Sequence, residues 1–357
     1  MLNLTHLRHD LIFKKPSGTS RGVLKTKTSF FIKIFESSNP SVFGLGECSL
    51  IQGLSIDPFK LLPEKLNYLK NDTDDALRNY QQKFKDFPAL VFAIEMAMMD
   101  LSNGGKRCLF DNDFSAGKDN ILINGLVWMG DYDFMNAQIQ EKIKTGFNCI
   151  KLKIGAINFE EEIALIKKIR GEFSESDIQI RVDANGAFKP ETALEKLQRL
   201  ADLKIHSIEQ PIKQKQWSEM AKLCEITPLP IALDEELIGV HSFEERSKMI
   251  ETIKPHYIIL KPSLVGGIES SEEWIGIAEK NDIGFWITSA LESNIGLNAI
   301  AQWTYDIVQK KPGRKMYQGL GTGKLFTNNI DSPLEIVEGH LIYKNDISWD
   351  LNTLNFE

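Results

Sequence analysis

The runs KLKIG (residues 151–155), RVDAN (181–185), IEQP (208–211), IALDEE (231–236) and IILKPS (258–263) decide the fold. Each is a short apolar stretch rich in β-branched residues, and each ends in charge. Acids close the middle three, and lysines mark the first and last. The runs recur about every 25–30 residues, the length of one strand–helix–strand unit, with helix-patterned segments between them. This rhythm predicts a parallel β/α barrel, whose C-terminal strand ends carry the chemistry.

Working outward, ILINGLVW (121–128) reads as the opening barrel strand and FWITSALES (285–293) as the last strong one. Helices are predicted over 131–145, around Phe159, Ile163, Ile166 and Ile169, and from Pro190 through Leu194, Leu197 and Leu200. Others cover 217–225, 242–252, 270–280 and 296–308. Residues 1–50 pattern as antiparallel strands at 4–14, 26–35 and 41–48. A turn-rich loop, PSGTSRG (16–22), separates the first two, and a second loop, GECSLIQGLS, follows from Gly46. Helices over 59–69 and 86–101 come next. The second carries Phe92, Met96 and Met99 on one stripe and ends at NGG (103–105). PLEIVEGHLIYK (333–344) reads as a hairpin turning at Glu338-Gly339. The expected fold is α/β: an α+β capping domain (1–112), a barrel domain (113–318) and a C-terminal segment (319–357) that returns to the cap.

At 357 residues the chain is long enough for two domains. A net charge of −7 argues against a nucleic-acid partner. No apolar run reaches the ~18 residues of a membrane span, and LNLTHLRHDL does not read as a signal peptide. Cys48, Cys108, Cys149 and Cys224 show no zinc or redox spacing, so a reducing, cytoplasmic setting fits best.

Lys151 and Lys153 lie two apart on a strand and so share a face. Burial and like charge would each lower a lysine pKa toward that of a general base, although a KxK strand alone equally describes a solvated surface. Asp183, Glu209 and Asp234 end three successive strands. Singly each could cap a helix or pair with a barrel lysine. Together, at matched phase around one axis, they cannot all stay ionised without a cation, and oxygen-only ligands favour Mg²⁺, or Mn²⁺, over zinc. Asn185 and Glu235 stand next to them as supporting groups. Lys261 would face Lys153 across the barrel mouth. A lysine on either side of a metal-held carboxylate suits removal of an α-proton and stabilisation of the resulting enediolate.

KxK, DAN, EQP, DEE and KPS, in this order and spacing, resemble the enolase superfamily in its muconate-lactonising subgroup. Sites of that superfamily pair a Lys or His base with Mg²⁺. The resemblance spans most of the chain. It implies a modified (β/α)₇β TIM-type barrel, with loops of the cap closing over a small-molecule carboxylate. Asp183, Glu209 and Asp234 would bind the metal, and Lys153 and Lys261 would form the acid/base pair. Within the subgroup, ING at Ile123, Arg181 ahead of VDAN, and SALESNIGL from Ser289 are similar to the o-succinylbenzoate synthases. That likeness implies syn dehydration of a succinyl-hydroxycyclohexadiene carboxylate, a step toward menaquinone. Lys153 would take the α-proton and return it to the departing hydroxide, and Lys261 would stabilise the enediolate as a cation. Lys151, Ser289, Arg181 and Ser20 would contact substrate, with Arg21 beside Ser20 in a closing loop.

The alternative is a dipeptide epimerase or N-succinylamino acid racemase using the same metal and lysines. Dipeptide epimerases grip an α-ammonium with an aspartate pair at the final strand, where this chain offers only Glu292. A barrel that binds without turnover would be expected to have lost a lysine or a carboxylate, and none is missing. Sugar-acid dehydratases usually place a histidine late in the barrel, and no strand-end histidine follows Lys261. His206, Trp286 and Trp303 read as packing residues.

Overall fold

The computed structural model describes residues 1–19, 22–155, 157–310 and 316–356. The chain opens with a three-stranded antiparallel sheet of β1 (Leu2–Thr19), β2 (Gly22–Glu36) and β3 (Asn39–Ser49). Three short helices follow, α1 (Leu62–Asn71), α2 (Thr73–Leu77) and α3 (Tyr80–Lys83), and then α4 (Pro88–Ser102). Helix α4 lies directly on β3. A Cβ at Gly44 or Gly46 would meet the carbonyl oxygens of Ala97 and Ala93 at 1.8 and 1.9 Å, so only glycine permits this approach. That contact buries most of α4, including Phe92, Ala93 and Met96.

Downstream the elements alternate. They are β4 (Asn120–Leu122), β5 (Gly125–Val127), α5 (Tyr132–Lys144), β6 (Cys149–Lys153), α6 (Phe159–Glu172), β7 (Gln179–Asp183) and α7 (Pro190–Ala201). Then come β8 (Ser207–Glu209), α8 (Trp217–Ile226), β9 (Ile231–Leu233), α9 (Phe243–Ile253), β10 (Tyr257–Leu260), α10 (Pro262–Val265) and α11 (Gly267–Lys280). Strand β11 (Gly284–Ile287) and α12 (Asn294–Gln309) end the alternation. Asp131, Asn158, Ser242 and Ser293 cap α5, α6, α9 and α12 with side-chain hydrogen bonds, each worth about 1 kcal/mol.

Among the described residues β5 to β11 form one seven-stranded parallel sheet in chain order. The backbone at Gln318 and Gly319 bridges both edges of it, pairing with Ile123 on one side and Thr288 on the other. Side chains alternate: Ile150, Leu152, Ile180 and Val182 pack in the main core, while Ala232, Ile259 and Trp286 form a separate buried cluster.

Two expectations are corrected. ILINGLVW is not one strand. Residues 120–122 form β4, which pairs with the C-terminal hairpin β12 (Leu334–Val337) and β13 (His340–Tyr343), and the parallel sheet begins at Gly125. Nor is PSGTSRG simply a loop, because β1 and β2 stay paired through Ser17–Leu24 and Gly18–Val23 after a register shift beyond Ile12. The hairpin turn at Glu338 (φ 47°) and Gly339 (φ 72°) has both central residues left-handed, as a tight two-residue hairpin requires. No helix among the described residues is long and apolar enough to cross a membrane.

The C-terminal segment runs back along the first sheet. Lys14 and Ile12 exchange backbone bonds with Leu325 and Thr327, and Leu354 packs against Phe31 and Leu45.

Candidate active site

The register of the parallel sheet builds the site. Lys153 pairs with Asp183, and Asp183 with Glu209, so the three side chains stand in one row across β6, β7 and β8. Lys151 and Arg181 form the row beneath. Asp234 and Lys261 each follow directly on the end of their strand, β9 and β10. All of these side chains are buried or nearly so, although they carry formal charge.

They are held by one another. Lys151 Nζ donates to Glu209 Oε2 and lies 3.0 Å from Asp183 Oδ2. Lys153 Nζ donates to Asp183 Oδ2 at 3.1 Å and to Asn185 Oδ1 at 2.8 Å. Lys261 Nζ donates to Asp234 Oδ2 and lies 3.9 Å from Glu209 Oε1. Asn185 Nδ2 in turn donates to Glu235 Oε1 at 3.1 Å, so Asn185 ties Lys153 to Glu235.

Burial penalises every charge here, and neighbours decide the outcome. At Asp183 burial is outweighed by Lys151, Lys153 and Lys261, which hold the carboxyl below the ordinary range. Asp234 is likewise held low against burial, chiefly by Lys261. Glu209 goes the other way. Burial, then the Asp183 charge, push it well above the ordinary range despite Lys151. Lys151 corrects the sequence reading. Burial lowers Lys151 and Lys261, but the carboxylates on adjacent strands more than reverse that and raise both. Like-charge repulsion does not set their state.

This set fits a divalent cation. Among the described residues no three acidic, His or Cys groups converge as a ready-made cage. Instead the ammonium groups of Lys151 and Lys261 bridge neighbouring carboxylates, Asp183 to Glu209 and Asp234 to Glu209. Glu209 Oε1 is buried and accepts no hydrogen bond among the described residues. An unpartnered buried oxygen, beside carboxyl oxygens bridged only by ammonium groups, is an acceptor that a cation would satisfy. The donors are all oxygens, which suits Mg²⁺.

A cavity of about 650 Å³ opens above this row, lined by Lys151, Lys153, Asp183, Asp234 and Lys261. Its other walls include Ile51 and Leu54 from the cap, Ser289, Ala290 and Leu291 after β11, and the charged Lys14, Lys15 and Lys324. Ser289 Oγ lies 2.7 Å from Thr322 Oγ1 and 3.1 Å from Gly319 O.

Arg181 is not at the cavity. It points inward like Asp183 but one row deeper, where its guanidinium lies 4.3 Å from the centre of the Trp286 ring and donates to Tyr317 O at 2.8 Å. It packs beneath the site and is not among the residues that line the cavity. Ser20, and Arg21 beside it, lie outside the described residues. Glu292 turns away from the cavity, accepting from Ser263 Oγ and Ala290 N. His206 packs beside Tyr257, with ring centres 5.5 Å apart. Gln52, in the GECSLIQGLS loop, and Thr322 also line the cavity. Thr322, in the Gly-rich run 319–323, was not singled out by the sequence.

Residues 135–346 match the family model described as enolase C-terminal domain-like. Over 371 aligned residues the chain is 47% identical to an o-succinylbenzoate synthase of Desulfotalea psychrophila, covering 95% of this chain and 98% of that one. The crystal structure of MenC from the same organism superposes with a TM-score of 0.83 at 44% identity, covering 95% and 99% of the two chains. A hydrophobic dipeptide epimerase of Enterococcus faecalis is 27% identical, over 83% of this chain and 84% of its own.

Proposed function

This chain belongs to the o-succinylbenzoate synthase family of the enolase superfamily, and we propose that its reaction is run by Lys153 and Lys261 above the carboxylates of Asp183, Glu209 and Asp234. The enzyme is a hydro-lyase of menaquinone biosynthesis. It dehydrates 2-succinyl-6-hydroxy-2,4-cyclohexadiene-1-carboxylate to 2-succinylbenzoate.

Asp183, Glu209 and Asp234 would hold Mg²⁺, which supplies fixed positive charge where the substrate carboxylate gains negative charge. Lys153 Nζ, as the base, takes the α-proton, and the C–H electron pair moves toward the ring carboxylate. As the ring double bond forms and hydroxide leaves from the same face, the Lys153 ammonium hands the proton to it, so the products are the aromatic acid and water. Asn185 Oδ1, 2.8 Å from Nζ, orients the amine. Lys261 stays a cation and faces the growing negative charge from the other side. Lys151 adds a second cation at the carboxylate end. Ser289 and the neighbouring backbone meet the succinyl chain.

The finer architecture in this proposal is a (β/α)₇β barrel in which the bridging backbone at Gln318 and Gly319 serves as the closing strand. Residues 1–112 and the returning segment 319–357 make up the cap. The four cysteines are unpaired, which suits a cytoplasmic setting.

The observation that carries the reading is the shared row of Lys153, Asp183 and Glu209 on three adjacent strands. The test is turnover of the cyclohexadiene acid, followed by ultraviolet absorbance, before and after EDTA. The reading requires loss of activity with EDTA and its return with Mg²⁺. Full activity in EDTA would remove the metal from the proposal.

A further inference from the structure

Where the cap meets the end of the parallel sheet, a buried polar cluster is left unused by the dehydration chemistry. Glu47, on β3, is 0% exposed. Its Oε1 accepts from Ser29 Oγ at 2.7 Å and from Ser293 N at 2.9 Å. Its Oε2 accepts from Ser293 Oγ at 2.5 Å and from Gly296 N at 3.0 Å. Lys27, on β2 and also buried, donates to Ser29 Oγ at 3.0 Å and lies 3.7 Å from Glu47 Oε1. Glu292, 0% exposed, accepts from Ser263 Oγ at 2.5 Å and Ala290 N at 2.6 Å. One cation therefore stands among two buried carboxylates, contributed half by the cap and half by the segment after β11.

Such a cluster is a poor way to gain stability, because desolvation offsets most of the attraction and apolar replacements often do as well. What it does is fix geometry. Residues 289–291 form a wall of the cavity, and Leu291 holds a left-handed φ of 62°. A non-glycine residue keeps that conformation only when its surroundings impose it. Here the imposition comes from both sides, through Ala290 N to Glu292 and Ser293 to Glu47. Ser263, bonded to the same Glu292, lies two residues after Lys261.

We propose that Glu47 and Glu292 are positioning residues, which with Lys27 clamp the 289–291 wall and the Lys261 strand end to the cap sheet. The cap thereby sets the space in which the succinyl chain is held. The role in turnover rests on the function proposed above.

Glu47→Gln is the sharpest test. Both Glu47 oxygens accept a backbone N–H, so either orientation of the amide turns an NH₂ against a donor. KM for the cyclohexadiene acid should rise about tenfold, with kcat changed less than about threefold. Amide hydrogen exchange across residues 288–296 should quicken about tenfold or more, while β6 and β7 keep their protection. Glu292→Ala should also raise KM. Glu292→Gln, which can still accept from Ala290 N and donate to Ser263 Oγ, should recover most of that loss. If Glu47→Gln does not fold, Ser293→Ala removes one hydroxyl contact and should raise KM about threefold. Unchanged KM with a lower unfolding midpoint would mark the cluster as merely structural and overturn the proposal, as would unaltered exchange over 288–296. If the parent enzyme does not dehydrate the acid, the function reading falls, and the exchange pattern alone decides the clamp.

Discussion

Glu95 on α4 should make the enzyme lose stability as pH rises. Its side chain is 6% exposed and reaches from the cap helix to the start of α11, accepting from Ile268 N at 2.5 Å and Glu269 N at 3.4 Å. Burial raises its pKa to about 8, against 4.5 for an ordinary glutamate, and the two N–H bonds only partly oppose this. The folded protein thus keeps a proton that the unfolded chain releases. The contribution is fully present below about pH 4.5 and is lost as pH rises through about 8. The full gap corresponds to a ceiling of about 5 kcal/mol, and the expectation after local relaxation is about 3 kcal/mol. Glu95→Gln does not titrate, and the fixed cost of turning its NH₂ toward one of the two N–H donors is the same at every pH. Urea unfolding of both proteins at pH 5, 7 and 9 isolates the effect, because all other groups cancel in the difference. The parent should lose about 3 kcal/mol relative to the variant between pH 5 and 9. Profiles that stay parallel within about 0.5 kcal/mol would refute the reasoning.

Other outcomes are as specific. Asp183→Asn should weaken Mg²⁺ binding by more than about 100-fold in titration calorimetry, beyond the loss expected of a supporting residue; unchanged heats would remove Asp183 from the ligand set. Arg181→Met should lower stability by about 1–3 kcal/mol through the lost Trp286 and Tyr317 contacts while leaving KM unchanged. A rise in KM without destabilisation would return Arg181 to the substrate. Against a panel of dipeptides and N-succinylamino acids, kcat/KM for dehydration should exceed that for epimerisation at least about 100-fold, since Glu292 is turned away from any substrate ammonium. Faster epimerisation would favour the racemase alternative.

The strand-end acids and lysines were legible because parallel strands must place their C-terminal ends together, and period-2 alternation assigns each side chain a face. Alternation does not give depth. Arg181 and Asp183 share a face, so Arg181 read as a substrate contact although it lies a row below. The charge state of Lys151 was misjudged for a related reason. Its neighbour in sequence is Lys153, but its partners in space are Asp183 and Glu209 on other strands. The bridging backbone at 318–319 carries no apolar run to announce it. The clamp was invisible because Glu47 finds Ser293 across 246 residues. By contrast, Glu338-Gly339 signalled its turn through local chemistry alone.

The most direct measurement is the single-turnover dehydration rate of Lys153→Ala, with Mg²⁺ affinity measured on the same protein. A lysine that both takes the α-proton and protonates the leaving hydroxide should cost about 10²–10⁴ in rate when removed, or about 3–5 kcal/mol of barrier. Mg²⁺ should still bind, because Asp183, Glu209 and Asp234 remain. A rate within tenfold of the parent would contradict the central claim and move the base elsewhere.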